Sequence, residues 1–159
     1  MTVYRCAVPE DLPAISRHLL AFYLEGRFRE KGFRYDTVSA EAFVEYALKS
    51  PDEFLIMVAM DGEKCVGSIC GSIRPWMGDF RQKIVAEIWW WVDRPYRGSG
   101  VGKAMLNAYE EEITERGIDF TMLGTHDFEN ERALARVYEN RGYKHAEHFY
   151  MKETPRCHL

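Results

Sequence analysis

The residues of this chain that can do chemistry gather mainly in one stretch, EIWWWVDRPYRGSGVGKAML, from Glu87 to Leu106. Glycines occupy alternate positions there, Gly98, Gly100 and Gly102, with Arg97 before them and Lys103 after. Without a Cβ, such positions let another molecule come close to the backbone. A helix starting near Gly100 would offer first-turn amides that have no partner inside the helix, and its dipole would add partial positive charge. Successive amides from Gly98 through Ser99 and Val101 to Lys103 can form a concave nest, and Arg97 and Lys103 can add full charges. A bulky phosphate suits that arrangement. The alternative is a glycine-rich turn that merely joins a strand to a helix.

Two familiar phosphate loops are excluded by position. A Walker loop needs glycine where Arg97 stands, and Ser or Thr where Ala104 stands. A dinucleotide fingerprint starting at Gly98 needs a further glycine where Lys103 stands.

The strand ahead of the loop carries a carboxylate. Counting by twos puts Val85, Glu87, Trp89 and Trp91 on one face, and Ala86, Ile88, Trp90 and Val92 on the other. A carboxylate among large aromatics is partly desolvated, which raises its pKa toward that of a general base. Glu87 is therefore a candidate base, with a solvent-facing strand residue as the other reading. His126, after the next strand, is a second candidate, though a histidine there is often an ordinary loop residue.

The elements that must position these residues follow from periodicity. VYRCAV alternates as a first strand. A helix follows, with Asp11 as its cap, Pro13 in its first turn and Ile15, Leu19 and Phe22 on one face. GRFREKGFRYDT is an irregular connection, and Ser39 caps a second helix reaching about Lys49. Two β-rich runs flank Asp61-Gly62, a hairpin signal. IVAEIWWWVD is another strand. The helix from Gly100 has Met105, Leu106, Tyr109 and Ile113 as its stripe and stops at Gly117. IDFTMLGT reads as a strand, NERALARVYENRG as a last helix and YKHAEHFYMKE as a final strand. The order is β-α-α-β-β-β-α-β-α-β, an α/β pattern, and no internal linker divides the 159 residues into two domains.

Composition narrows the classes. The chain is 47% hydrophobic and 29% charged, as a globular domain is, and its net charge of −4 argues against nucleic acid as a partner. Cys6, Cys65, Cys70 and Cys157 form no CxxC pair and no cluster of metal spacing, so no metal is expected. Free thiols, an N-terminus without a long apolar run and the lack of eighteen consecutive apolar residues point to a cytoplasmic chain with no membrane association.

At this point the residues resemble a known family. VDRPYRGSGVGKAML is similar to the acetyl-coenzyme A binding segment of the GCN5-related N-acetyltransferases (GNAT), whose marked positions, an arginine or glutamine and two small residues, fall here on Arg97, Gly100 and Gly102. YENRGY near the end resembles the family's aromatic followed by glycine and an aromatic. The resemblance covers nearly the whole chain in element order. It implies a single-domain GNAT-like mixed sheet with a central splayed parallel strand pair. The pantetheine arm would lie in the splay against backbone groups of Trp90, Trp91 and Val92, and the pyrophosphate on amides from Gly98 to Lys103. Asn130 would contact the arm from the far side, although it lies eight residues before Tyr138 where the family has seven. The sequence leaves room after Gly142 for one strand where the family often has two, so the acceptor side is expected to be trimmed or else completed by a partner subunit, as in a homodimer.

The reaction the resemblance implies moves an acetyl group from acetyl-coenzyme A to a primary amine of a small molecule or protein, by direct attack in a ternary complex. The amine must be neutral to attack, the oxyanion needs donors, and the leaving thiolate needs a proton. The resemblance makes Tyr138 the acid, in place of an ordinary core aromatic, and supports Glu87 as base, acting through water. Backbone amides near Trp91 and Val92 would serve the oxyanion. The acceptor would lie against the first two helices, where Glu25 and Glu30 either recruit a cationic amine or belong to a solvated face, and near Trp76 and Phe80. An alternative from another class is a coenzyme-A-binding regulatory or interaction module that has lost turnover.

Overall fold

A computed structural model describes residues 1–125, 131–147, 149–152 and 154. Strand β1 (Thr2–Cys6) is followed by helices α1 (Leu12–Glu25) and α2 (Thr37–Lys49). Strands β2 (Phe54–Asp61), β3 (Lys64–Trp76) and β4 (Asp79–Val92) come next, then helix α3 (Val101–Glu115), strand β5 (Phe120–Met122) and helix α4 (Glu131–Asn140). The strands form one mixed sheet in the order β1-β2-β3-β4-β5, antiparallel except for the parallel pair β4 and β5.

The two faces of the sheet carry separate apolar clusters. Strand β2 shows why its sequence is a continuous apolar run rather than an alternation. Leu55, Met57 and Ala59 pack with α3, while Ile56 and Val58 pack with α1 and α2. A strand covered on both faces has no water-facing side to mark. Helix α1 buries Ile15, His18 and Phe22, and α3 buries Val101, Met105, Leu106, Tyr109 and Ile113, each a stripe of helical period.

The structure corrects several expectations. Helix α2 is capped by Asp36, whose carboxylate accepts the Ser39 N–H at 2.8 Å, so Ser39 lies inside the first turn. Asp11 precedes α1 as expected, but its carboxylate accepts the Val8 N–H and the Arg5 guanidinium instead of a helix amide. The segment RPWMGDF is the tip of the β3–β4 hairpin, with Trp76 opposite Asp79. Trp76 and Phe80 project from that tip with 41% and 76% exposure. No described residue beyond Asn140 lies in a strand, so the final strand is not formed there.

Candidate active site

Strand β4 pairs with β5 only at Ile84 with Phe120, Val85 with Thr121 and Ala86 with Met122. It then runs on to Val92 without a β5 partner. The expected splay is therefore present, and it leaves backbone hydrogen-bonding groups along one edge of β4 for another occupant.

A β-bulge sits at the start of that opening. Against β3, Gly71 pairs with Glu87 and Cys70 with Trp89, leaving Ile88 as the extra residue. The bulge overturns the facing deduced by counting in twos. Glu87 faces the α3 side together with Val85, Trp90 and Val92, whereas Ile88, Trp89 and Trp91 pack on the α1 and α2 side. Trp89 is fully buried, sits edge-on to Phe43 of α2 and donates Nε1–H to Ser68 Oγ at 3.1 Å. Glu87 thus shares its side of the sheet with Trp90, not with the other two tryptophans.

Glu87 is half-buried and its carboxylate accepts the Gly124 N–H at 3.1 Å. Burial pushes its pKa up to about 7, although that hydrogen bond and the neighbouring Tyr138 hydroxyl both favour the charged form. Tyr138, on α4, is buried and stacks on Trp90 with ring centroids 6.3 Å apart. Its hydroxyl lies beside the Glu87 carboxylate and directs its hydrogen at the Gly124 carbonyl, 3.2 Å away. Burial, then the Glu87 charge, raise the phenol's pKa well above its usual value, so it stays protonated. A carboxyl group titrating near neutrality and a neutral phenol at the point where two strands separate can accept one proton and donate another. Gly124 holds both groups with one residue, and no spacing rule in the sequence singles it out.

The glycine loop has the expected shape. Gly98 and Gly100 have φ of +77° and +95°, a region costly for any residue with a side chain. The first amide bonded within α3 is Ala104, to the Gly100 carbonyl at 3.0 Å, so those of Val101, Gly102 and Lys103 have no intrahelical partner. A pocket of about 370 Å³ opens here, lined by Val92, Arg97, Gly98, Gly100, Gly102 and Lys103. An added Cβ on Gly102 would meet Trp90 and Val92 only at ordinary contact distances, 3.6 and 3.7 Å. Gly102 is thus not demanded by packing, and its missing side chain keeps the pocket open. Free amides, a helix N-terminus and lysine fit a pyrophosphate.

The other loop residues play different parts. The Ser99 hydroxyl donates to the Tyr96 carbonyl at 2.6 Å, which ties the turn together. Val101 turns its side chain into the core. Arg97 lines the pocket, but its guanidinium donates to Glu25 at 2.7 Å and to the Val92 carbonyl at 2.9 Å, and lies 4.5 Å above the Trp91 ring. Glu25 also accepts from Arg94. It therefore anchors the end of α1 to the loop rather than standing open toward an acceptor. Asn130 and His126 lie outside the described residues. Among the described residues no cluster of His, Cys, Asp or Glu could hold a metal ion.

A buried polar network braces this region from the α1 side, and the sequence reading missed it. His18, fully buried, has Nδ1 3.1 Å from Ser68 Oγ and Nε2 3.0 Å from the Arg17 guanidinium. Arg17 can only donate, so Nε2 must accept and the proton resides on Nδ1. Burial and then Arg17 lower the pKa of His18 to about 4. Arg17 also pairs with Asp93 at 3.1 Å, and Asp93 accepts from Trp91 Nε1 at 3.1 Å. The residue that begins the glycine loop is thus fixed from α1 and β4 together.

Solved structures share the fold of this chain. An aminoglycoside acetyltransferase from an uncultured soil metagenomic sample, in complex with sisomicin, superposes with a TM-score of 0.70 at 20% identity, covering 96% of this chain and 97% of that one. A predicted acetyltransferase with acetyl-CoA from Clostridium acetobutylicum gives 0.71 at 14% identity, covering 96% of each chain. A possible acetyltransferase from Clostridium difficile 630 gives 0.75 at 18% identity, covering 98% and 99%. At these identities the likeness is one of fold. No curated protein matches the chain. The profile of the Acetyltransferase (GNAT) family matches residues 14–143, most of the sequence, and the chain belongs to that family.

Proposed function

We propose that the chain transfers an acetyl group from acetyl-coenzyme A to a primary amine of a small molecule or protein, by direct attack in a ternary complex. One observation carries the reading. The pocket at the start of α3 and the Glu87–Tyr138 pair lie at opposite ends of the stretch of β4 that has no β5 partner, the pocket at Val92 and the pair at Glu87. Loop amides and Lys103 hold the pyrophosphate, and the free edge of β4 aligns the pantetheine arm. Backbone amides near Trp91 and Val92 serve the oxyanion. Glu87, titrating near neutrality, takes a proton from the amine directly or through water. Tyr138, neutral at working pH, offers its hydrogen to the departing sulfur.

The test is thiol release from acetyl-coenzyme A with a panel of amines, including a cationic aminoglycoside of the kind bound to the soil relative, and a peptide amine. Tyr138→Phe should lower kcat by about 10²-fold or more. Tight coenzyme binding with no turnover on any amine would instead indicate a binding module.

A further inference from the structure

Val92 and Asp93 share one peptide at the end of β4. The Asp93 N–H donates to the Val66 carbonyl of β3 at 2.8 Å. In a trans peptide the carbonyl points the opposite way, so the Val92 oxygen is directed at the edge of β4 that has no β5 partner. Arg97 folds back onto that oxygen. It donates Nε–H to it at 2.9 Å, with its guanidinium 4.5 Å above the Trp91 ring. Nη1–H of the same guanidinium donates to Glu25 Oε1 at 2.7 Å. The chain thus covers one end of its own unpaired edge with a cation, and a carboxylate from α1 holds that cation there.

The surroundings show which member can move. The Val92–Asp93 peptide is fixed, since the Asp93 carboxylate also accepts from Arg17 and from Trp91 Nε1. Glu25 has a second partner: its Oε2 accepts from Arg94 Nη2 at 3.3 Å, so the loss of Arg97 does not leave it uncompensated. The Glu25–Arg97 contact is partly open to water, with 26% and 35% of the two side chains exposed, and an ion pair so placed is weak. Arg97 is therefore the member free to leave. It also lines the pocket at the start of α3, where phosphate oxygens would match a guanidinium as well as a carboxylate does.

We propose that Glu25 is a latch on the coenzyme site: it holds Arg97 across the Val92 end of the β4 edge, and the coenzyme pyrophosphate opens that end by taking the guanidinium from Glu25. The inference rests on the acetyltransferase reading above and goes further by giving Glu25, on α1, a part in coenzyme binding. Carboxylate and pyrophosphate compete for one guanidinium, so Glu25 lowers coenzyme affinity while Arg97 raises it.

Calorimetry with coenzyme A tests the latch in a double-mutant cycle. Glu25→Gln keeps the shape of the side chain and removes its charge, and should bind coenzyme A about threefold to fivefold more tightly than the wild type. In an Arg97→Ala background the same substitution should change affinity by less than about 1.5-fold, because the latch acts only through Arg97. Unfolding temperatures check that the variants fold, and a crystal structure of the wild type with coenzyme A needs no variant. There Arg97 should have left both Glu25 and the Val92 carbonyl for a phosphate oxygen. Equal or weaker binding by Glu25→Gln would overturn the latch, since Glu25 would then position Arg97 for the ligand. An equal gain in the Arg97→Ala background would overturn it too, as the effect of one charge acting at a distance, and so would Arg97 still bonded to Glu25 in the complex. Each of these results leaves the acetyltransferase reading standing. No binding of coenzyme A by the wild type would overturn both.

Discussion

Glu87 and Trp89 are two residues apart in one strand, yet they face opposite sides of the sheet. Ile88 is the reason, since it is unpaired against β3 and turns the chain once more than alternation allows. The carboxylate reaches Gly124 on one side, and the indole reaches Ser68 on the other. The bulge thus separates a reactive residue from the aromatic core while leaving them close in sequence.

The position of Glu87 has a cost in stability that pH reveals. Its folded pKa is raised from 4.5 to about 7, so its protonated form favours folding. That contribution is complete below about pH 4.5 and is lost as pH rises through 7. Glu87→Gln removes the titration. In urea denaturation the variant should gain on the wild type by about 1–3 kcal/mol between pH 5 and pH 8, even as acetyl transfer falls. Equal gaps at both pH values would show that Glu87 is not desolvated.

His18 acts on the acid side. Its folded pKa is lowered from 6.5 to about 4, so its neutral form favours folding. The contribution is complete above about pH 6.5 and declines as pH falls toward 4, by roughly 3 kcal/mol in all. His18→Gln should flatten this decline in denaturation curves taken at pH 7 and pH 4.5. Proton resonances of His18 that titrate near pH 6.5 in the folded protein would contradict the assignment.

Ser68 accepts from Trp89 Nε1 and contacts His18 Nδ1, with no exposure of its own. Ser68→Ala strands both groups in the core and should cost about 1–3 kcal/mol. Coenzyme affinity, measured by calorimetry, should stay within about twofold because the substitution lies on the α1 side of the sheet. A large loss of affinity with little loss of stability would reverse that division.

The glycine loop permits a sharper contrast. An added Cβ at Gly102 meets only ordinary contacts in the free protein, so Gly102→Val should unfold close to the wild-type temperature while losing at least about tenfold in coenzyme affinity. Gly100→Val should lose both, because φ of +95° is strained for any branched residue by about 1–3 kcal/mol. Wild-type affinity in Gly102→Val would remove the phosphate from this pocket.

Local chemistry made much of this protein legible in its sequence. The Asp61-Gly62 hairpin, the apolar stripe of α3 and the glycines that open it follow from period and backbone sterics, which act between near neighbours. Arg97 to Lys103 could be read as an anion site for the same reason, since a helix start makes its own free amides. Tertiary contacts decided the rest. Ile88 bulges against β3, reversing the face of Glu87, and no residue type near it announces this. Gly124 joins Glu87 to Tyr138 only because β5 and α4 are packed beside β4. His18 became a buried neutral group because the sheet beneath α1 removes it from water and the Arg17 guanidinium repels a second charge, against the pull of Asp93 toward the charged form. Each of these depends on groups distant in sequence meeting in a low-dielectric interior, where hydrogen-bond partners and burial set both facing and charge.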